Sequence, residues 1–391
     1  MTLSALVPTG SRVKLSASDT ELDTIFPEYA LTPCASGTAA LALAIQQACL
    51  DRDIAQPEVI LPAYGCPDLI AACEFAQVRP ILVDLQTSTS WMDLSLVASA
   101  ITQNTVAIVA VAFLGIRERI SDLQQIIDGR AIALIEDSAQ WCPSSKTEHY
   151  NTELAIMSFG RGKPVSMMGG GLLLIKRSQS KRSKSKPLQT ASLSKPQKPS
   201  LLATLKYKVK ARLFNAILQP FVYGFVSKLP FLSIGETRYK PLDSIEPMPA
   251  DIELLLSANL AEYQNKRDRS EQLRNIMANE LIVKAGVLDL GSVCGVSKNQ
   301  KQLRFPILFP TGEQRDECLR LMLSQGLGAS AMYGKSLFNI DQVSTKASLH
   351  QADTVAQDFA KRVLTLPTHE FVNDHHLKKM ERIIKDLIQS A

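Results

Sequence analysis

From about residue 35 to residue 176 short apolar runs alternate with amphipathic stretches, and this alternation limits the possible folds more than any other feature of the chain. The runs EVILP, RPILVDL, TVAIVAVAF, AIALIED, ELAIMSF and GLLLIK are rich in Val, Ile and Leu, the pattern of strands buried on both faces. Helical patterns fit between several of them, near residues 66–77, 93–102 and 119–129, and SGTAALALAIQQACL reads as a helix opened by Ser36 and Gly37. Strands joined through helices predict an α/β fold, with a mostly parallel sheet covered on both faces. Ligands of such sheets sit beyond the carboxyl ends of the strands. Asp137 lies at the end of AIALIED, Ser158 ends ELAIMSF, and Lys163 follows five residues later, so these three polar groups are candidates for one crevice.

A chain of 391 residues, 46 % hydrophobic, is long enough for two domains with substantial cores. The first, residues 1–176, holds the alternating pattern. Residues 177–240 interrupt it with a basic linker whose first part, RSQSKRSKSKPLQTASLSKPQKPS, reads as polar and mobile. Residues 241–391 read as a smaller α+β unit. It holds a long helix over DIELLLSANLAEYQNKRDRSEQLRNIMANELI, a strand LRFPILFP, a helix EQRDECLRLMLSQ ended by Gly326, a strand VLTLP and a terminal helix after Asn373.

No basic stretch followed by a continuous apolar core opens the chain, and the seven scattered cysteines contain no C-x-x-C pair, which suits reduced thiols in a cytoplasmic protein. The five histidines show no metal-ligand spacing and read as structural or surface residues. Net charge is +5, yet residues 176–240 alone hold 15 Lys or Arg against one acidic residue, Glu236, so the rest of the chain is net acidic. Nucleic acid is not an expected partner, because zinc-finger, RNP-like and basic-zipper motifs are absent from the sequence.

The stretch SFGRGKPVSMMGGG places Lys163 between a glycine and a proline. A phosphate-binding P-loop is excluded, since Met157 stands at its first glycine and Pro164 at its hydroxyl residue; a dinucleotide fingerprint starting at Gly160 fails at Val165. Other chemistry fits better. The helix amino terminus at Gly37 and Thr38 can receive a phosphate, and Ser158 can add a hydroxyl. A buried Asp137 needs a cation, which a protonated pyridine nitrogen supplies, and a lysine amine can form a Schiff base. Pyridoxal 5′-phosphate meets all four requirements.

The motifs SGTAAL, VILPAYGCPD, PILVDL, IEDSAQ and SFGRGKPVSMMGGG, in this order, resemble those of the DegT/DnrJ/EryC1/StrS sugar aminotransferases, which have the fold-type-I aminotransferase architecture. The resemblance covers about residues 30–176, with GLGAS and VLTLPTH in matching places further on. It implies that Lys163 is the Schiff-base lysine and that Asp137 partners the pyridine nitrogen. Gln140 would lie against the cofactor ring or its 3′ oxygen, and Gly37, Thr38 and Ser158 would hold the phosphate. Glycines around Lys163 would let the backbone turn closely beneath the cofactor.

Two positions depart from the family pattern. Cys66 stands where an aromatic ring usually stacks on the cofactor; Tyr64 is a candidate substitute, although its position favours a wall residue. GETRYKP, residues 235–241, lacks the asparagine that usually reaches a neighbouring subunit's phosphate, and Arg161 or Arg238 could take over that charge.

The resemblance implies transfer of an amino group from an amino acid, glutamate first among candidates, to a keto group on a nucleotide-linked sugar, in a homodimer. A lyase or dehydratase on the same scaffold generally replaces the lysine, so Lys163 favours transamination. A rival of another class is a sensor or scaffold that binds the cofactor without turnover.

The basic segment lies outside the resemblance. Leu201, Leu205, Val209, Leu213 and Ile217 recur every four residues as an apolar helical stripe, with Lys206, Lys208, Lys210 and Arg212 mostly to its sides. The run LFNAILQPFVYGFVS after it, interrupted by Pro220 and Gly224, is too short for a membrane span. The stripe is expected to pack on the sheet; the alternative is a helix lying in an anionic membrane interface, through residues 177–230.

Overall fold

The computed structural model describes residues 4–390 apart from 19, 51, 145–147, 178–199, 228–236, 267 and 299. The polar run from 178 to 199 and the first two residues of GETRYKP therefore lie outside the described residues.

All six strands read from the alternating pattern form: β2 (Glu58–Pro62), β3 (Arg79–Val83), β4 (Thr105–Val111), β5 (Ala133–Asp137), β6 (Leu154–Ser158) and β7 (Gly171–Lys176). Two more join them, β1 (Tyr29–Cys34) and the short β10 (Ser348–Leu349). The eight strands lie in the order β1-β7-β6-β5-β4-β2-β3-β10, and β7 alone runs against the rest. The chain leaves β2 for β3 on one side and then jumps back to β4 on the other, which puts the topological switch between β2 and β4.

Helices cover both faces because apolar side chains emerge on both. Helix α2 (Gly37–Cys49), with Ser36 Oγ capping Ala39 N–H at 3.1 Å, buries Ala39 through Ile45 beside β6 and β7, and α3 (Asp68–Phe75) packs on α2. On the opposite face α4 (Leu94–Ala100) and α5 (Ile120–Ile126) cover Ile60, Ile81, Ile108 and Leu134.

The long helix expected after residue 250 is three helices: α8 (Ala250–Asn265), α9 (Ser270–Met277) and α10 (Glu280–Lys284). Local side-chain bonds compete with the helix at both breaks. Asp268 accepts from Ser270 N–H and Oγ at 3.2 and 2.8 Å, and Asn279 Oδ1 accepts from Leu281 N–H at 3.1 Å. Helix α8 packs through Ile252, Leu255, Leu256 and Leu260 against Met157, Phe159, Leu172 and Leu174 of the large sheet region. The other two helices join α12 (Gly312–Ser324) and α14 (Asp374–Ser390) around a three-stranded sheet of β8 (Leu288–Asp289), β9 (Arg304–Leu308) and β11 (Val363–Pro367). Residues 4–13 strap the two regions, with Leu6 in the small core and Val13 in the large one.

The expectation for the basic segment is overturned. Helix α6 (Leu201–Ile217) forms, but Leu201, Leu205, Val209, Leu213 and Ile217 are exposed, Leu201 at 92 %. The helix docks through its other side. Tyr207 and Ala211 are buried there with Phe214 packed beside them, and Tyr207 Oη donates to Met167 O at 2.9 Å. Ala211 admits close approach to α8 and the tyrosine hydroxyl finds a buried acceptor, which leaves the leucine stripe facing away. Pro220 then opens α7 (Pro220–Val226), its missing N–H unneeded in a first turn.

Candidate active site

Three strand ends build the site. Asp137 ends β5, Ser158 ends the parallel neighbour β6, and the loop from Phe159 to Gly170 joins β6 to the antiparallel β7. That loop is closed at its base, where Phe159 N–H donates to Gly170 O at 2.8 Å and Met167 N–H to Phe159 O at 2.7 Å. Lys163 therefore rides on a loop anchored to two strands.

The α2 amino terminus comes to the same place through two glycines. A Cβ on Gly171 would lie 2.2 Å from Ser36 O, so only glycine lets β7 pass this close beneath the helix start. A Cβ on Gly37 would lie 2.5 Å from Ser158 Cβ and 2.7 Å from its Oγ. The start of α2 and the Ser158 side chain are thus in direct contact, with Thr38 half-buried one residue further on. A Cβ at Gly160 would lie 3.7 Å from Ser158 Oγ and 3.9 Å from Lys163 Cγ, so both side chains border Gly160.

Asp137 is 6 % exposed. Its Oδ1 accepts from Ala139 N–H at 2.8 Å, and among the described residues it has no ion-pair partner within 4.0 Å. Burial pushes its carboxyl above the usual range; the Ala139 N–H and the Lys163 charge pull the other way without offsetting it. Glu136, the next residue back and so on the opposite face of β5, is by contrast paired with Arg117 at 2.6 Å. One buried carboxylate is matched and the other is not.

Cys66, in the loop after β2, is close enough to Asp137, Lys163 and Asp68 to feel all three charges; burial and Asp68 push its thiol up to about 12, so it is a neutral thiol at neutral pH. Tyr64 is buried edge-on against Phe113 and Phe359 at 5.1 Å each, a wall residue. Gln140 is fixed at both ends of its amide, with Oε1 accepting from Leu114 N–H at 3.2 Å and Nε2 donating to Tyr333 Oη at 3.1 Å. Tyr333 was not legible as a site neighbour; an aromatic next to Gly334 in a loop was its only signal. Arg161 is exposed at the rim of the Lys163 loop, and Arg238 is exposed and has a partner.

Residues 24–217, the span that holds every one of these groups except Tyr333, Phe359 and Arg238, match the sequence model of the DegT/DnrJ/EryC1/StrS aminotransferase family. The chain belongs to this family. A curated relative, the dTDP-3-amino-3,4,6-trideoxy-alpha-D-glucose transaminase of Micromonospora megalomicea subsp. nigra, is 32 % identical over 105 residues, a stretch covering 27 % of this chain and 27 % of that protein. The match thus spans about a quarter of the relative's length.

Among solved structures, a DegT DnrJ EryC1 StrS aminotransferase from Brucella abortus is 16 % identical with a TM-score of 0.62, over 93 % of this chain and 87 % of its own. The E. coli GDP-4-keto-6-deoxy-D-mannose-3-dehydratase, with bound hydrated PLP, is 14 % identical with a TM-score of 0.65, over 96 % and 100 %. At these identities the DegT/DnrJ/EryC1/StrS chain shares their fold, the fold-type-I architecture with a mostly parallel sheet.

Proposed function

We propose that this DegT/DnrJ/EryC1/StrS chain is a pyridoxal 5′-phosphate-dependent aminotransferase that moves an amino group from an amino acid, glutamate first among candidates, to a keto group of a nucleotide-linked sugar. The observation that carries the reading is the unpaired buried Asp137 beside Lys163, within reach of the Gly37–Ser158 cradle. These residues fit the cofactor. A buried carboxylate lacking a cation suits a protonated pyridine nitrogen, and a helix amino terminus with an adjoining hydroxyl suits a phosphate.

When bound, the cofactor supplies an electron sink for the pair released when a Cα–H bond breaks. Gly37 and Thr38 N–H groups with the Ser158 hydroxyl would hold its phosphate, and Asp137 would hold its ring nitrogen protonated. Lys163 would hold the cofactor between turnovers and, once released, carry the proton to and from the substrate's Cα. Gln140, its amide already fixed by Leu114 and Tyr333, would bound the ring on one side, and Cys66 would face it where relatives place an aromatic. The β6–β7 loop keeps the Lys163 backbone fixed while its side chain moves.

The dehydratase among the structural relatives marks the nearest alternative chemistry on this fold. Lys163 favours transamination over it. The reading extends to a homodimer with its sites at the subunit boundary and to work in the cytoplasm at the face of an anionic membrane. No described helix is long and apolar enough to cross one.

The test is spectroscopic. Purified protein loaded with the cofactor should lose its visible absorption band on addition of an amino donor and recover it with a keto-sugar acceptor. A band that no amino acid changes would leave a binding protein in place of a transaminase.

A further inference from the structure

Thirteen large hydrophobic side chains are exposed among the described residues, and eight of them lie on α6 and α7: Leu201, Leu202, Leu205, Val209, Leu213, Ile217, Phe221 and Phe225. Such a concentration marks an interaction surface, because scattered exposed apolar residues are normal and clustered ones are not.

The geometry of α6 separates its two sides. At 3.6 residues per turn, Tyr207, Ala211 and Phe214 point toward α8 and the large sheet region, while Leu202, Leu205, Val209 and Leu213 point roughly the opposite way. Lys208 and Arg212 fall along one margin of this apolar stripe and Lys206 and Lys210 along the other. Neither α6 nor α7 contains an acidic residue, so the surface is apolar in the middle and positive at both edges. Phe221 and Phe225, four residues apart on α7, add two exposed aromatic rings.

We propose that α6 and α7 form a docking surface for an anionic lipid bilayer, with the leucine stripe in the headgroup–acyl boundary and the four basic side chains on the lipid phosphates. Charge decides among occupants. A second copy meeting this patch about a two-fold axis would bring the same four cations against each other, whereas an anionic lipid surface neutralises them. An interfacial helix with an apolar face and a basic margin has this composition. The proposal gives a surface to the membrane location stated above. It rests on α6 and α7 and not on the transaminase chemistry, and its readout is independent of turnover.

The test uses the full chain and vesicles of phosphatidylglycerol with phosphatidylcholine, against phosphatidylcholine alone. The protein should sediment with the anionic vesicles, at least about tenfold less with the neutral ones or at high salt. The triple variant Leu205→Ser, Val209→Ser, Leu213→Ser should lose binding at least about tenfold while keeping its melting temperature, since the three side chains are exposed. The charge variant Lys206→Glu, Lys210→Glu should lose it as well. Unchanged vesicle binding by the triple variant, or equal binding to neutral vesicles, would overturn the proposal. A fall in solution molar mass of the triple variant would overturn it in favour of a second copy on the stripe.

Discussion

Ser158 occupies the space that a side chain on Gly37 would need: a Cβ built there lies 2.5 Å from Ser158 Cβ. The contact couples the start of α2 to the end of β6, and any residue larger than glycine must push one of them back. Gly37→Ala is therefore expected to fold but to weaken cofactor binding at least about tenfold, the effect of an overpacking strain of about 1–3 kcal/mol at the cradle. A titration of the cofactor-free variant checks this, and an affinity equal to the native protein's would remove the cradle from the phosphate site.

Lys163→Ala should lower turnover by about a thousandfold or more, because it removes the group proposed above to carry the substrate proton. Borohydride treatment of the loaded protein gives a second readout. A peptide carrying reduced cofactor should map to Lys163 in the native protein and vanish in the variant; a cofactor-bearing peptide at another lysine would refute the assignment.

Asp137 ties stability to pH and sets it against function. Its folded carboxyl titrates above the ordinary 3.8, so the folded state resists ionisation there. The sign follows from linkage: below the ordinary value the group is neutral in both states, and stability is lost as pH rises through the folded value. In cofactor-free protein at pH 7, Asp137→Asn should thus melt higher than the native chain, with the gap closing as pH falls toward 4. The same variant should lose about a hundredfold or more in activity, while Asp137→Glu keeps more, since an amide cannot hold a pyridinium. Melting curves of both variants with and without cofactor decide this; a destabilised cofactor-free Asn variant at pH 7 would contradict the unmatched charge.

The strands, the parallel sheet and the positions of Asp137, Ser158 and Lys163 were legible because each rests on a local pattern: an apolar run, its polar end, a glycine-flanked lysine. What escaped depends on distant partners. Strand β1 was missed because YALTPC reads as a strand only once β7 lies antiparallel beside it. The tie from Gln140 to Tyr333 crosses 193 positions of sequence. The break of the long helix at Asp268 hinged on a carboxylate turning back on Ser270, a competition that periodicity does not register. The buried face of α6 is the one that carries Tyr207, Ala211 and Phe214, with the Tyr207 hydroxyl on Met167 O, and not the one with the stronger leucine period.

His369 links the amino-terminal strap to the region of the three-stranded sheet, and the link should open in acid. Its Nε2–H donates to Val7 O at 2.8 Å and its Nδ1 accepts from Phe371 N–H at 3.3 Å, so both ring nitrogens are engaged in the neutral form. The ring also fills the space against Gly10, where a Cβ would lie 2.9 Å from it. Burial holds its pKa down to about 4 from an ordinary 6.5, with the Val7 carbonyl opposing. A depressed folded value means that the stabilising effect is full above 6.5 and is lost as pH falls through the folded value near 4, by about 3 kcal/mol in all. Protonation would also set an Nδ1–H against the Phe371 N–H, which forces the strap to shift. The native melting temperature should therefore drop more steeply between pH 6.5 and 4.5 than that of His369→Gln, whose amide can donate to Val7 without gaining a charge. Hydrogen exchange at Leu6, whose N–H donates to Gly326 O at 2.8 Å, should accelerate over the same range in the native chain alone. Parallel pH slopes for the two proteins would show that the strap is held by Leu6 and Val13 packing without a contribution from the imidazole.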